Sequence, residues 1–249
     1  MVPAVNHCVV VVMPAYNEAD GVAEFLTELV AEMGPRASVV VVDDRSTDRT
    51  VAVVSELAET GLPITVRSNE VNLGHGPTTI RALRAGLDAQ AEVVVAVDGD
   101  GQFRGSDIAR LVGILQTSGC DVVEGVRTSR SDPLFRRVTS VVTRGLVWLR
   151  VRKSPRDANT PLRVYRPEVL ADVLATLPDD AMTPNLLISA WTRRTGVALR
   201  EEFVDSLDRR GDTAHGSSWQ ARHQLIPSRR FVTFCLKAGL QWVRPGQTR

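Results

Sequence analysis

Asp98 and Asp100, separated by one glycine, are two carboxylates at i and i+2 directly after an apolar run. In a turn, such a pair can reach one divalent cation, and Gly99 removes the Cβ that would hold the backbone away. Oxygen ligands suit Mg²⁺ or Mn²⁺, which take few carboxylates and complete their shells with phosphate oxygens and water. The chemistry on offer is therefore metal-held phosphate. A lone Asp-x-Asp also occurs in solvated turns, so its position decides. A second acidic pair, Asp43-Asp44, likewise follows an apolar run. Such a carboxylate can accept from a base N–H or a ribose hydroxyl, or it can complement the positive end of the next helix. Asp48 fits only the helix role. Gly74-His75-Gly76, ahead of Pro77, can turn backbone N–H groups toward phosphate or ribose. It is not a dinucleotide fingerprint, because Thr79 stands where the third glycine would fall, and His75 reads as a turn residue.

The elements that must position these residues follow from the hydrophobic pattern. Short β-branched runs at 8–13, 39–42, 64–67 and 93–97 predict four strands. Val22, Phe25, Leu26, Leu29, Val30 and Met33 fall at helical spacing between the first two, and Gly34-Pro35 stops that helix. Ser46 or Thr47 can cap a helix over 48–59, and Pro77 suits the first turn of a helix reaching about residue 89. Continuous apolar strands alternating with helices predict an α/β fold, a mostly parallel sheet with helices on both faces. In such sheets, ligands bind beyond the carboxyl ends of the strands. Pro14-Ala15-Tyr16-Asn17-Glu18, Asp43 to Asp48, the stretch 69–76 and Asp98 to Gln102 all lie there, so four polar clusters meet on one edge.

The second half is less regular. It predicts a fifth strand at 121–126, a basic amphipathic helix at 134–151 and a strand near 162–165. Helices near 168–176 and 185–194, a strand through 197–204 and a helix at 231–243 follow. No linker or repeat divides the chain, so a single domain over 1–249 is expected.

The whole composition excludes more than it selects. A net charge of +1 with 43% hydrophobic residues gives no pull toward nucleic acid. Positive charge is almost all arginine, Lys153 and Lys237 being the only lysines. Cys8, Cys120 and Cys235 form no CxxC pair, which argues against a disulfide framework or a cysteine zinc site and for a cytoplasmic setting. No basic n-region precedes the first apolar run, and no run is long enough to span a bilayer. The basic amphipathic pattern at 134–151 leaves two readings open: a helix lying on an anionic lipid surface, or one packed on its own sheet.

Taken together, Pro14 to Glu18, Val42-Asp43-Asp44-x-Ser46-Thr47-Asp48-x-Thr50, Asn72-x-Gly74-x-Gly76 and Asp98-Gly99-Asp100-Gly101-Gln102 resemble inverting family 2 glycosyltransferases of the GT-A fold. Gly125-Val126-Arg127 and Asp157-Ala158-Asn159-Thr160-Pro161-Leu162-Arg163 look like segments of the branch that builds polyprenyl-phosphate sugars. The resemblance spans roughly residues 8–210, and it implies a nucleotide-sugar-binding half over about 8–126 and an acceptor-binding half with a C-terminal helical region over about 127–249. It implies that Pro14, Ala15, Tyr16, Glu18, Gly74 and Asp43 or Asp44 contact the donor nucleotide. It further implies that Asp98 and Asp100 meet the metal and diphosphate, with Gln102 beside them. Arg127 and one of Arg209 and Arg210 would face phosphate.

The implied reaction is transfer from a nucleoside-diphosphate sugar with Mg²⁺ or Mn²⁺. The acceptor is a polyprenyl phosphate or, alternatively, a hydroxyl of a soluble small molecule. A hydroxyl must lose a proton to a base. The branch commonly has a carboxylate near 185, where this chain has Asn185, which leaves Asp157, Asp179 or Asp180 as candidate bases. The family's lysine between the two glycines is replaced by His75, and its late Arg-x-x-Gly-x-Ser pattern is loosened around Arg210 and Gly216-Ser217. A nucleotidyltransferase would need a glycine-rich loop at the first strand. A non-catalytic nucleotide-sugar-binding module would be expected to lose the aspartates, and a receiver-type domain would need a nearby lysine.

Overall fold

The computed structural model describes residues 8–128, 145, 147–149 and 151–211. Their order is β1 (Val9–Ala15), α1 (Ala19–Met33), β2 (Ala37–Asp43), α2 (Thr50–Glu59), β3 (Ile64–Ser68), α3 (His75–Asp88) and β4 (Val93–Ala96). Then come α4 (Gly105–Ser118), β5 (Val122–Arg127), β6 (Arg163–Tyr165), α5 (Pro167–Thr176), α6 (Pro184–Thr195) and β7 (Leu199–Val204). The strands form one sheet of order β3-β2-β1-β4-β6-β5-β7. Only β6 runs against its neighbours, pairing antiparallel with β4 and β5. The sheet is thus mostly parallel, as the apolar runs predict.

Every residue of β1 is buried because both of its faces are covered. Val9, Val11 and Met13 pack toward Phe25, Leu26 and Leu29 of α1 and Ile108, Leu111 and Leu115 of α4. Val10 and Val12 pack toward Ile80 and Leu83 of α3, with Leu170, Val173 and Ile188 beyond. Hydrophobic burial on both faces fixes the register and leaves the strand ends to carry polar groups.

Helix α3 begins at His75, with Pro77 in its first turn as expected. Two differences from the sequence pattern have local causes. The helix α2 starts at Thr50 without a side-chain cap, because Ser46 Oγ instead accepts from Asn17 N at 2.9 Å. Asp48 holds that junction, accepting from Thr50 N at 2.9 Å and from Ala19 N at 3.1 Å. Helix α4 fills the interval between the fourth and fifth strands, to which the pattern reading assigns no element; Ile108, Leu111, Val112 and Leu115 are its buried stripe. Of the predicted helix at 134–151, Gly145, Val147, Trp148, Leu149 and Val151 are helical, and the remainder lies outside the described residues. So do the predicted helix at 231–243 and Gly216-Ser217.

Candidate active site

The site begins where β1 and β4 end side by side. Gly99 N donates to Pro14 O at 3.2 Å. A Cβ on Gly99 would lie 3.1 Å from that oxygen and 3.4 Å from the Ala15 Cβ. The glycine therefore allows the Asp98–Asp100 turn to lie against the end of β1. Asp98 and Asp100 are mostly buried, with 27% and 13% of their side chains exposed. Burial, and then the charge of Asp98, push the Asp100 carboxyl up to about 6, against the pull of Arg209.

Glu18, on the loop after β1, joins the same cluster. Its backbone N donates to Thr50 Oγ1 at 2.9 Å, which fixes where its side chain starts. Burial raises its carboxyl to about 8; Arg209 opposes this, and Asp100 and Asp98 add to it. The guanidinium of Arg209 ion-pairs with Glu18, and its Nε lies 3.8 Å from Asp100 Oδ2. His75 Nε2 stands 3.8 Å from Asp98 Oδ1, so this turn residue faces the cluster. Three crowded acids met by an arginine and a histidine form a place where additional positive charge is favoured.

Arginine 209 reaches the cluster because the segment 205–211 crosses the Asp98–Gln102 loop. Leu207 N donates to Gln102 O at 2.9 Å, Gln102 Nε2 to Leu207 O at 3.2 Å, and Arg210 N to Asp100 O at 3.1 Å. Gln102 thus turns its amide toward the segment. Arg210 points to the far side: its Nη1 donates to Glu24 at 3.0 Å, its Nη2 pairs with Glu28, and its Nε donates to Gly101 O at 3.2 Å. Of the two arginines the sequence offers, Arg209 faces the carboxylates and Arg210 anchors the segment to α1.

The two aspartates after β2 have different surroundings. Asp44 accepts from Asn69 Nδ2 at 2.9 Å and from Leu73 N and Gly74 N at 2.8 Å each. Its carboxylate, like the Gly74 N–H, is thereby engaged in holding the loop after β3. Asp43 accepts from Ser46 N at 3.1 Å. Pro14, Ala15 and half-buried Tyr16 complete the rim above β1.

On the other side of β4, Arg127 at the end of β5 grips Asp157. Nε donates to Oδ2 at 2.7 Å, Nη2 donates to Oδ1 at 3.1 Å, and Nη2 also reaches the Asn159 carbonyl at 3.2 Å. The candidate phosphate-binding arginine and the candidate base are one bidentate ion pair. Asn185, in the first turn of α6, is 7% exposed. With Pro14, Thr79, Asp98 and Pro161 it borders a cavity of about 10 Å³. Of the other carboxylates, Asp179 ion-pairs with Arg84 at the surface. Sequence reasoning does not single out Arg209's contact with Glu18, because 191 residues separate them.

Among the described residues, no three or more His, Cys, Asp and Glu side chains form a ready metal cage. Two neighbouring carboxylates fit a cation that takes few protein ligands and completes its shell with phosphate and water.

Comparison with known proteins bears on the family and the fold. The glycosyl transferase family 2 model matches residues 10–174. An undecaprenyl-phosphate 4-deoxy-4-formamido-L-arabinose transferase of Edwardsiella ictaluri is 33% identical over 189 residues, covering 74% of this chain and 57% of its own. A Pseudomonas fluorescens protein of the same name is 29% identical, covering 91% and 64%. The chain therefore spans less than two thirds of the length of these relatives. Among solved structures, a Pyrobaculum calidifontis mannosyltransferase with GDP-Man and Mn²⁺ has a TM-score of 0.58 at 25% identity, covering 84% of this chain and 58% of its own. Glucosyl-3-phosphoglycerate synthase of Mycobacterium tuberculosis with UDP gives 0.62 at 19% identity, covering 95% and 79%, a likeness of fold. The parallel sheet, the strand-end carboxylates and the family match over 10–174 lead to one conclusion: the chain belongs to glycosyl transferase family 2.

Proposed function

We propose that this glycosyltransferase takes a sugar from a nucleoside-diphosphate sugar and places it on a polyprenyl phosphate, with inversion at the anomeric carbon. The observation that carries the reading is the crowding of Glu18, Asp98 and Asp100 against Arg209 at the ends of β1 and β4. Asp98 and Asp100 would hold a Mg²⁺ or Mn²⁺ ion, which supplies positive charge to the diphosphate as it leaves. Asp43, Tyr16 and the 14–18 loop would hold base and ribose. Asp44 would set the loop that closes beside them. Glu18 would keep Arg209 turned toward the diphosphate, where an arginine fork is suited to phosphate oxygens.

The acceptor assignment rests on the names of the relatives and on how Asp157, the base candidate nearest the site among the described residues, is held. An alcohol would need a base, yet Asp157 is gripped by Arg127 through both oxygens. A phosphate arrives ionised. No helix among the described residues is long and apolar enough to cross a bilayer, and the described surface offers groups suited to a peripheral contact with the lipid's membrane. Trp148, Leu149 and Phe203 are 43%, 63% and 53% exposed, large apolar groups open to solvent. Arg152 lies 4.9 Å from the Trp148 ring and Arg156 lies 5.1 Å from that of Phe203. Apolar groups paired with arginines suit an anionic lipid surface. Sedimentation with anionic vesicles should show binding that weakens as salt rises; no pelleting at low salt would remove the membrane contact from the reading.

The main test is a screen of UDP-, GDP- and dTDP-sugars with Mn²⁺ or Mg²⁺ and a polyprenyl phosphate. One donor should give transfer that EDTA abolishes and Asp100→Asn lowers by about 100-fold or more, the scale of losing a group that stabilises transition-state charge. Full turnover in excess chelator would defeat the metal assignment.

A further inference from the structure

The side chain of Asn185 is held at one end only. Arg163 Nη1 donates to its Oδ1 at 3.0 Å, and Arg163 Nη2 donates to its backbone carbonyl at 3.1 Å and to Ser189 Oγ at 2.7 Å. Arg163 is itself fully buried on β6 and braced by Glu124, whose Oε1 lies 3.0 Å from Nε. A guanidinium offers donors and no acceptor. The amide oxygen must therefore face Arg163, and the –NH₂ must face away from it. Asn185 is 7% exposed, and among the described residues no protein atom accepts from Nδ2. A buried, unpartnered donor is uncommon and costly. Arg163 does not border the small cavity beside Asp98, and Asn185 does.

We infer that Asn185 Nδ2 is a hydrogen-bond donor to an anionic oxygen of the acceptor, and that Arg163 is the positioning residue that aims it. The inference rests on the proposed transfer and specifies its acceptor side. A guanidinium hydrogen-bonded to the amide oxygen draws electron density from the nitrogen and makes its N–H a stronger donor. The same bond prevents position 185 from presenting its oxygen to an attacking hydroxyl. The site at Asn185 thus offers donation and no proton acceptance. In the reaction, a lone pair of the phosphate oxygen forms the new bond to the anomeric carbon. The bond from that carbon to the nucleoside diphosphate breaks, and its electron pair leaves on the diphosphate. No proton changes hands, so none has to be taken at position 185.

The experiment compares wild type, Asn185→Asp and Asn185→Ala on a polyprenyl monophosphate and on the matching polyprenol, both in mixed micelles. Asn185→Asp is isosteric and keeps an oxygen for Arg163, but it exchanges the donor for a second oxygen and adds negative charge. Asn185→Ala removes the donor without adding charge. Both should lower transfer to the phosphate by about 10- to 150-fold, the range for a hydrogen bond to a charged group, mainly through the acceptor KM. Thermal melting and nucleoside-diphosphate binding by calorimetry identify any variant that has merely lost its fold; if one has, the other decides. A folded variant that stays within tenfold of wild type on the phosphate overturns the inference while leaving the proposed transfer intact. Wild type that glycosylates the polyprenol and not the phosphate overturns both.

Discussion

At the scale of single residues, the chain's ionisable groups divide into those crowded at the ends of β1 and β4 and those that other groups hold in place. Asp98, Asp100 and Glu18 form an acidic cluster that Arg209 only partly offsets, and burial keeps two of its members above their ordinary range. Asp157 is held: 6% of its side chain is exposed, and both oxygens are in the fork of Arg127. Asp157→Asn should therefore lower the melting temperature and weaken transfer, but leave the acid limb of the pH–rate profile where wild type has it. Loss of that limb would show Asp157 to be a general base. Arg127→Lys should rescue poorly in both respects, because an ammonium cannot reproduce the two-point contact. The residue types and their strand-end positions were legible in the sequence. Their pairings were not, since Arg127 meets Asp157 across 30 residues and Arg209 meets Glu18 across 191.

The elements were largely legible too, because a strand covered on both faces must be a continuous apolar run. β1 to β4 follow from their valines, and α1 from its stripe ending at Gly34. What the pattern could not supply was direction. β6 is only three residues long, and its reversal against β4 and β5 is set by tertiary pairing. Gly76 shows how closely elements were fitted around the site. A Cβ there would stand 2.2 Å from the Ala181 carbonyl oxygen, so α3 packs directly against the backbone leading into α6. Gly76→Ala should cost about 1–3 kcal/mol of stability, typical of overpacking, with a lower urea midpoint and unchanged slope. It should also raise the donor KM, since moving α3 moves His75 and the Asp44-bound loop. A variant as stable as wild type would mean that the 181–182 backbone yields freely.

Across the whole molecule, a buried ionic network ties β5, β6, α6 and β7 together. Glu124 on β5 meets Arg163 of β6 at 3.0 Å and Arg193 of α6 at 2.8 Å, and Arg193 continues to Glu201 of β7 at 2.7 Å. Burial alone would raise the Glu124 carboxyl, but the charges of Arg163 and Arg193 outweigh it and hold the group below its ordinary value. A carboxyl depressed in the fold contributes stability that is present above its unfolded value of 4.5 and lost as pH falls through the folded one. The melting temperature of wild type should therefore fall as pH drops below about 4.5. Glu124→Gln should be destabilised by about 3–5 kcal/mol near neutral pH, because buried Arg163 loses the carboxylate it pairs with and Arg193 is left with Glu201 alone. Its melting temperature should fall less steeply with acid. Parallel slopes for the two proteins would show that other carboxyls dominate acid unfolding.

The segment that carries Arg209 across the Asp98–Gln102 loop also sets an order of events during synthesis. The strands that end at the acidic cluster are complete by residue 96, yet Arg210 reaches the Gly101 carbonyl from 109 residues further along the chain. At ordinary rates of translation that interval is about 5–20 s, long enough for the early strands and helices to pair. A nascent chain can therefore pair β1 to β4 well before β6 fills the middle of the sheet and Arg209 arrives at the acidic cluster. Until then Glu18, Asp98 and Asp100 stand together without the Arg209 guanidinium that offsets them, so the later-made segment is the one that balances the charge of the first-made strand ends.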